Sequence, residues 1–331
     1  TLQFGHEKRR IDITEAPYFC RGDGSILNTD NLQRAINDCG ADDILYVPAG
    51  NFLTGALRLH SDLEIYLAKG AVLQGTTNLH DYAPRIPSRF EGTEMRCYSS
   101  LLNAGDLNSK TGANCRNIIL RGKGTICGGG QELARKIIED ERARIKSFLD
   151  DNEELVKSCE NHDTIPGRVR PRLINLSNCE NVWISGLTLK NAPSWNVHMI
   201  YCNDIQTDHC RFVSEGVWNG DGWDPDSSTH CTLFASEFST GDDAVAIKSG
   251  KNPEGNEINR PCAHIKVFDC RSECGHGICI GSEMSGGVED VQIWDCDLAE
   301  SLSGIEIKAT PKRGGYVRGV TVRDCTAPRV M

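Results

Sequence analysis

Ile265-Lys266-Val267-Phe268-Asp269-Cys270, Val291-Gln292-Ile293-Trp294-Asp295-Cys296 and Val320-Thr321-Val322-Arg323-Asp324-Cys325 are three versions of one phrase, their cysteines 26 and 29 residues apart. Each is a short strand, apolar and β-branched at alternate positions, closed by a turn residue and a small thiol. Fainter copies lie upstream in Val182-Trp183-Ile184 and Asn117-Ile118-Ile119-Leu120, and the cysteine returns in Asn178-Cys179 and Tyr201-Cys202. A period of roughly 20–30 residues with several short strands marks a solenoid whose coils stack at about 4.8 Å. A β-sandwich is the competing architecture. It requires tight hairpin turns, for which Asn219-Gly220 and Asp221-Gly222 are candidates, but it leaves the recurring phrase unexplained. The expected fold is an all-β, right-handed parallel β-helix, a single domain over residues 1–331.

Outward from the repeat, Asn28-Thr29 followed by Leu32, Ala35 and Ile36 reads as a capped amphipathic helix covering the first coil. Between Gln131 and Val156, Leu133, Ile137, Ile138, Ile145, Phe148 and Leu149 recur at helical spacing among charges. This predicts a helical insertion near 131–156, either flanking a binding face or a charged decoration. The chain stops at Met331, soon after Cys325; a truncation or a covering partner would explain the lack of a cap.

The 331 residues carry 36 Lys plus Arg against 46 Asp plus Glu, a net charge of −10, and 16 cysteines. The acidic balance argues against nucleic acid as a partner, and no apolar run reaches membrane-spanning length. Without C-x-x-C pairs, a structural metal site is not expected. A cysteine recurring in one phrase fills one narrow buried slot, so reduced, stacked thiols are favoured over several disulfides. No leader is visible at Thr1-Leu2-Gln3, which with reduced thiols favours the cytoplasm; a removed leader would leave secretion open. The oligomeric state is not legible.

Residues 221–243 hold Asp221, Asp224, Asp226, Glu237, Asp242 and Asp243 with no Lys or Arg. Asp221 lies 21 and 22 residues before the Asp242-Asp243 pair, close to one coil, so these carboxylates stack on neighbouring coils roughly 5 Å apart. Carboxylates that close cannot all ionise freely, and a protonated one beside an ionised one is the equipment of glycoside hydrolysis. His276 and Lys308 follow at 33 and 32 residues, with loops such as 251–260 absorbing the excess. Acid, acid pair, imidazole and ammonium then line one wall.

At these residues the sequence resembles glycoside hydrolase family 28, the polygalacturonases. Asn219-Gly220-Asp221-Gly222-Trp223-Asp224 is similar to the family's Asn-Thr-Asp-Gly-x-Asp, and Gly241-Asp242-Asp243 to its Gly-Asp-Asp. Gly275-His276-Gly277 is similar to Gly-His-Gly, and Ile307-Lys308 to the end of Arg-Ile-Lys. The resemblance implies inverting hydrolysis of an α-1,4-linked galacturonan without a cofactor. It implies Asp242 as general acid, Asp221 and Asp243 holding and activating water, and His276 tuning the acid. Lys308, Asn219 and Asp224 would bind substrate. Coil spacing alone suggests a retaining pair, since inverting enzymes usually separate the carboxyls by about 6.5–9.5 Å; the resemblance favours inversion.

Two departures stand out: Gly220 replaces the family's Thr, and Glu306 replaces the Arg of Arg-Ile-Lys. A glutamate repels a uronate carboxylate, so either Lys312 or Arg313 supplies the charge or the subsite takes another pectic polymer, a rhamnogalacturonan or xylogalacturonan. Gly281-Ser282-Glu283 and the insertion look like bacterial exo-acting members. Trp195, Trp218 and Trp223 suit either sugar stacking or core packing. Arg168, Arg170 and Arg172 form a basic run, read as a solvated loop or a uronate contact. The basic residues of 306–323 would offset the acidic wall. A pectate lyase would need calcium and an arginine base in register, and a non-catalytic glycan-binding solenoid gives no reason for the aligned acids.

Overall fold

The Asp-Cys phrase is a corner. Asp269, Asp295 and Asp324 adopt left-handed backbone conformations (φ 51°, 52° and 53°), as do Gly186, His209 and Ala235 at the same point of earlier coils. Short polar side chains tolerate that conformation, and the next residue turns inward. That inward slot is filled by Cys210, Ser236, Cys270 and Cys296, all 5% exposed or less. A thiol or hydroxymethyl fills this narrow slot in the later coils, and Leu187 fills it in the earlier one. All sixteen cysteines are free, thirteen of them buried.

In the computed structural model of the protein, residues 8–328 are described; Thr1-Leu2-Gln3 and Met331 lie outside them. The inner coils give one strand to each of three parallel sheets, whose strand order follows the chain, and the terminal coils give fewer. The long sheet has ten strands, from Arg9–Asp12 to Val317–Arg323. A second has eight, from Asp23–Leu27 to Arg271–Ser272. The third, here the cleft sheet, runs from Leu57–Leu59 to Ile305–Lys308. Pairing is in register, so like residues stack: Val197, Trp223, Val245 and Ile278 form one inward column. This is the expected β-helix; the sandwich's hairpins are missing from 219–222. Among the described residues the antiparallel pairing is one hairpin, Ile86–Phe90 with Thr93–Cys97, which sequence reading did not find.

The helix Thr29–Asp38 packs on strand Leu57–Leu59 and buries Leu32, Ala35 and Ile36, as expected of a cap. Its chemistry differs from the expectation. Asn28 does not cap the helix; its amide accepts from Arg21 N–H and donates to the Arg21 and Ile26 carbonyls. Gln33 instead pairs with the backbone of Arg58, accepting its N–H and donating to its carbonyl, both at 2.8 Å. A side-chain amide thereby satisfies an edge peptide as a neighbouring strand would.

The insertion is helical over Gly130–Arg144, Lys146–Asp151, Glu153–Lys157 and Thr164–Gly167. Leu133, Ile137 and Ile138 are buried, whereas Phe148 and Leu155 are exposed. None of the helices is long and apolar enough to cross a membrane.

Candidate active site

Peptide hydrogen bonds fix the register at the entrance to the cleft sheet. Asn196 N–H donates to the Asp221 carbonyl, Gly222 N–H to that of Asp243, and Ala244 N–H to that of Gly277, each at 2.9 Å. Asp221, Asp243 and His276 therefore occupy one position on three successive coils. Gly275 and Gly277 have φ of 79° and 87°, and a Cβ would stand 2.3 Å from the Asp242 carbonyl at Gly275 and 2.1 Å from that of Gly304 at Gly277. Only glycine fits these flanks, so the His276 backbone is pressed onto the acid pair. Gly220 sits against the Val217 and Ser214 carbonyls, where a Cβ would meet oxygen at 2.8 and 2.9 Å; this departure concerns packing.

His276 Nδ1 lies 2.9 Å from Asp242 and 3.0 Å from Asp243. Lys308 Nζ donates to both Asp243 oxygens at 2.8 and 3.0 Å, and the Cys279 thiol donates to Oδ1 at 3.1 Å. The environments of the adjacent acids are thus opposite. Burial and the charge of Asp243 raise the pKa of Asp242. Burial acts on Asp243 too, but the His276 hydrogen bond and Lys308 outweigh it and hold Asp243 at about 2. The Asp243 hydrogen bond raises His276. The two carboxyls titrate as a coupled pair whose surroundings push them in opposite directions. Asp242, Asp243 and His276 bring donor atoms within 4.8 Å of one another, close enough for a cation, but Asp243 is already bonded to an ammonium and a thiol.

A cleft of about 450 Å3 opens over this group. Asn219, Asp221, Asp242, Asp243, Lys308 and Arg313 line it, as expected of candidate site residues. Asn219 accepts from Arg170 at 2.6 Å, and Arg313 pairs with Glu283 at 3.0 Å. Arg313, not the exposed Lys312, is the cation that can answer Glu306. Leu155, Ser158, Cys159, Glu160 and Thr164 bring the insertion into the cleft wall, which sets aside its reading as mere decoration.

Three expectations need correction, and the two alternatives for the tryptophans divide between them. Asp224 is fully buried and cannot touch substrate; it lies 3.1 Å from the Lys248 ammonium. Arg170 and Arg172 are 1% exposed and belong to no solvated loop, because carbonyls of the chain satisfy them; Arg168 alone of that run lines the cleft. Trp223 is a core residue whose indole donates to Thr207, and Trp218 stacks under Arg170, while Trp195 lines the cleft. Of the basic residues of 306–323, Lys308 and Arg313 reach the cleft, whereas Arg318 and Arg323 lie on the long sheet.

Sequence reading missed Lys248 and Lys251. Lys248 was discoverable: Ile247-Lys248 repeats Ile307-Lys308, and the two lysines share a column through Gly281. Also missed was the fully buried network that pins the hairpin to the solenoid. Arg89 donates to Asp226 at 2.8 Å, and Asp226 pairs with His198 Nε2 at 3.1 Å. Nothing local in Ser88-Arg89 marks it as buried.

Residues 39–330 match the sequence model of Glycosyl hydrolases family 28. A probable polygalacturonase of Vitis vinifera is 32% identical over 320 residues, covering 92% of this chain and 58% of its own. An exo-poly-alpha-D-galacturonosidase of Dickeya chrysanthemi is 28% identical, covering 95% and 54%. The chain therefore spans little more than half the length of these curated relatives. Among solved structures, an exopolygalacturonase of Thermotoga maritima superposes with a TM-score of 0.78 at 25% identity, covering 96% of this chain and 76% of that one. A family 28 exopolygalacturonase of Yersinia enterocolitica shares the fold, with a TM-score of 0.83 at 24% identity over 96% of this chain and 58% of that one. The fold is a right-handed parallel β-helix. With the four motifs converging on one cleft and the match running through nearly every coil, the chain belongs to glycosyl hydrolases family 28.

Proposed function

We propose that this cleft hydrolyses α-1,4-galacturonosidic bonds of pectic polysaccharide, from chain ends and with inversion. The reading rests on the division of Asp242 from Asp243: neighbours in sequence, Asp243 held by Lys308, Cys279 and His276, and Asp242 facing the cleft beside His276. Asp242 gives its proton to the glycosidic oxygen as the C1–O bond breaks. Water attacks C1 from the opposite face and loses its proton to Asp221, with Asp243 orienting it. His276, hydrogen-bonded to Asp243 and 2.9 Å from Asp242, stabilises the Asp243 carboxylate, so the pair's proton is left to Asp242. Arg168, Lys251, Lys308 and Arg313 supply the cations a polyuronate needs despite the negative total charge. The insertion's place in the wall supports action at chain ends, and the free thiols support a reducing compartment.

Proton NMR of the first-formed anomer tests inversion; a retained α-anomer would sink it. Product profiles on polygalacturonate, rhamnogalacturonan and xylogalacturonan test the substrate, and unsaturated products would replace hydrolysis by elimination. A rapid early fall in viscosity would exclude exo-action.

The pH profile of kcat/KM is expected to be bell-shaped. The upward-shifted Asp242 loses its active, protonated form as pH rises, giving the alkaline limb. Asp243, at about 2, is ionised over the working range, so the acid limb belongs to Asp221, which burial and Asp224 also shift upward. A rate that stays flat to high pH would rule out Asp242 as the acid.

A further inference from the structure

Lys248 is a buried ammonium that the reaction as written does not use. Its Nζ lies 3.0 Å from Asp221 Oδ2, 3.1 Å from Asp224 Oδ2 and 3.6 Å from the centre of the Trp195 ring, with the residue 3% exposed. Strand register explains the placement. Lys248 stands beside Asp226 on the neighbouring coil, two positions from Asp224 along the sheet. An ammonium so far from water is tolerated only with counter-charges, and two carboxylates supply them. Equally, Asp221 and Asp224 could not both be buried without it. Asp221 faces the cleft, whereas Asp224 does not.

Resting on the proposed hydrolysis, we propose that Lys248 is a positioning residue: its ammonium fixes the Asp221 carboxylate toward the cleft and favours its ionised form against burial and the neighbouring acids, so that Asp221 can take the proton of the attacking water. Asp224 is the counterweight. Its two oxygens are buried without a hydrogen-bond partner beyond the ammonium contact, so it draws on the same cation and limits how strongly Lys248 stabilises Asp221. Burial and Asp224 carry Asp221 well above the usual carboxylate range, and Lys248 limits that rise without cancelling it. The other charged groups facing Asp221 are Asp242 and Asp243 from the next coil and Arg170 from the preceding segment. Glu283 and Asp226 also face Lys248.

In Lys248→Met the Asp221 carboxylate loses its cation, so the acid limb of kcat/KM moves to higher pH. At neutral pH kcat falls by about 10²-fold or more, the range of a general base, while KM changes little. In Asp224→Asn the competing carboxylate is gone, and the acid limb moves to lower pH. The double variant, which removes one charge of each sign, returns the limb toward the wild-type position; it also covers the case in which Lys248→Met does not fold. A limb that stays put in the Met and Asn variants, or a loss confined to KM, overturns the proposal; the second outcome would make Lys248 a substrate contact. Carbon-13 NMR titration of Asp221 in wild-type and Lys248→Met protein keeps the two readings apart. If the wild type does not cleave galacturonan but Asp221 titrates higher in Lys248→Met than in wild type, the functional reading fails and the positioning role stands.

Discussion

Asp242→Asn is expected to lower kcat on galacturonan by about 10³-fold, within the 10²–10⁴ range of a positioned general acid, with KM and melting temperature close to wild type. The amide has the size of the carboxylate, and its oxygen can still meet His276 Nδ1, which lies 2.9 Å from the acid. What it lacks is a proton to give. The deficit should therefore depend on the leaving group. An aryl galacturonide, whose phenolate leaves without help, should show a much smaller loss than the polymer. Equal losses on both substrates would mean that Asp242 acts by some route other than proton donation. Unchanged turnover would remove the proposed site altogether.

The second large effect is on stability. Asp226→Ala should destabilise the fold by about 3–5 kcal/mol, the usual consequence of stranding one partner of a buried ion pair. Arg89, Asp226 and His198 are all inaccessible to solvent, and Arg89 Nε and Nη2 already lack partners. Removing Asp226 leaves the guanidinium with Ser227 Oγ and the face of Tyr201. The hairpin Ile86–Phe90/Thr93–Cys97, which carries Arg89, should then loosen first, and protease cleavage there would report it. The exposed Arg135–Glu139 pair, one helical turn apart at 2.7 Å, is the control. Breaking it should change stability by about 0.3–0.5 kcal/mol. Denaturant melts giving similar values for both would contradict the burial argument.

Periodicity made the solenoid legible because the corners repeat one backbone twist and, in the later coils, one small inward residue. Asp269-Cys270 and Asp295-Cys296 announce their role wherever they occur. Asp221, Asp242, Asp243, His276 and Lys308 were legible for a related reason: coils stack in register, so linear spacing reports lateral distance. Burial was not legible. Asp224 and Asp221 are alike in sequence, yet pairing of Asp224 with His198 across the sheet places it behind the wall rather than in it. Arg170 and Arg172 read as a basic loop because sequence gives no hint that backbone carbonyls surround them. The Arg89 network joins residues 137 positions apart, and no local pattern encodes a contact of that kind.

The loops between coils differ in length while the coils stay in register. Asp243 and His276 are separated by the whole Lys251–Arg260 excursion, yet they touch at 3.0 Å. Distance along the chain is thus decoupled from distance in space. Segments can be lengthened or exchanged at the rim without moving the reacting groups, since the peptide ladder sets their spacing. The helical insertion is such a segment: it reshapes the entrance to the cleft from Leu155 to Thr164 and leaves the acids where the ladder puts them. A scaffold of this kind lets substrate choice and mode of attack evolve independently of the chemistry, in separate stretches of one chain.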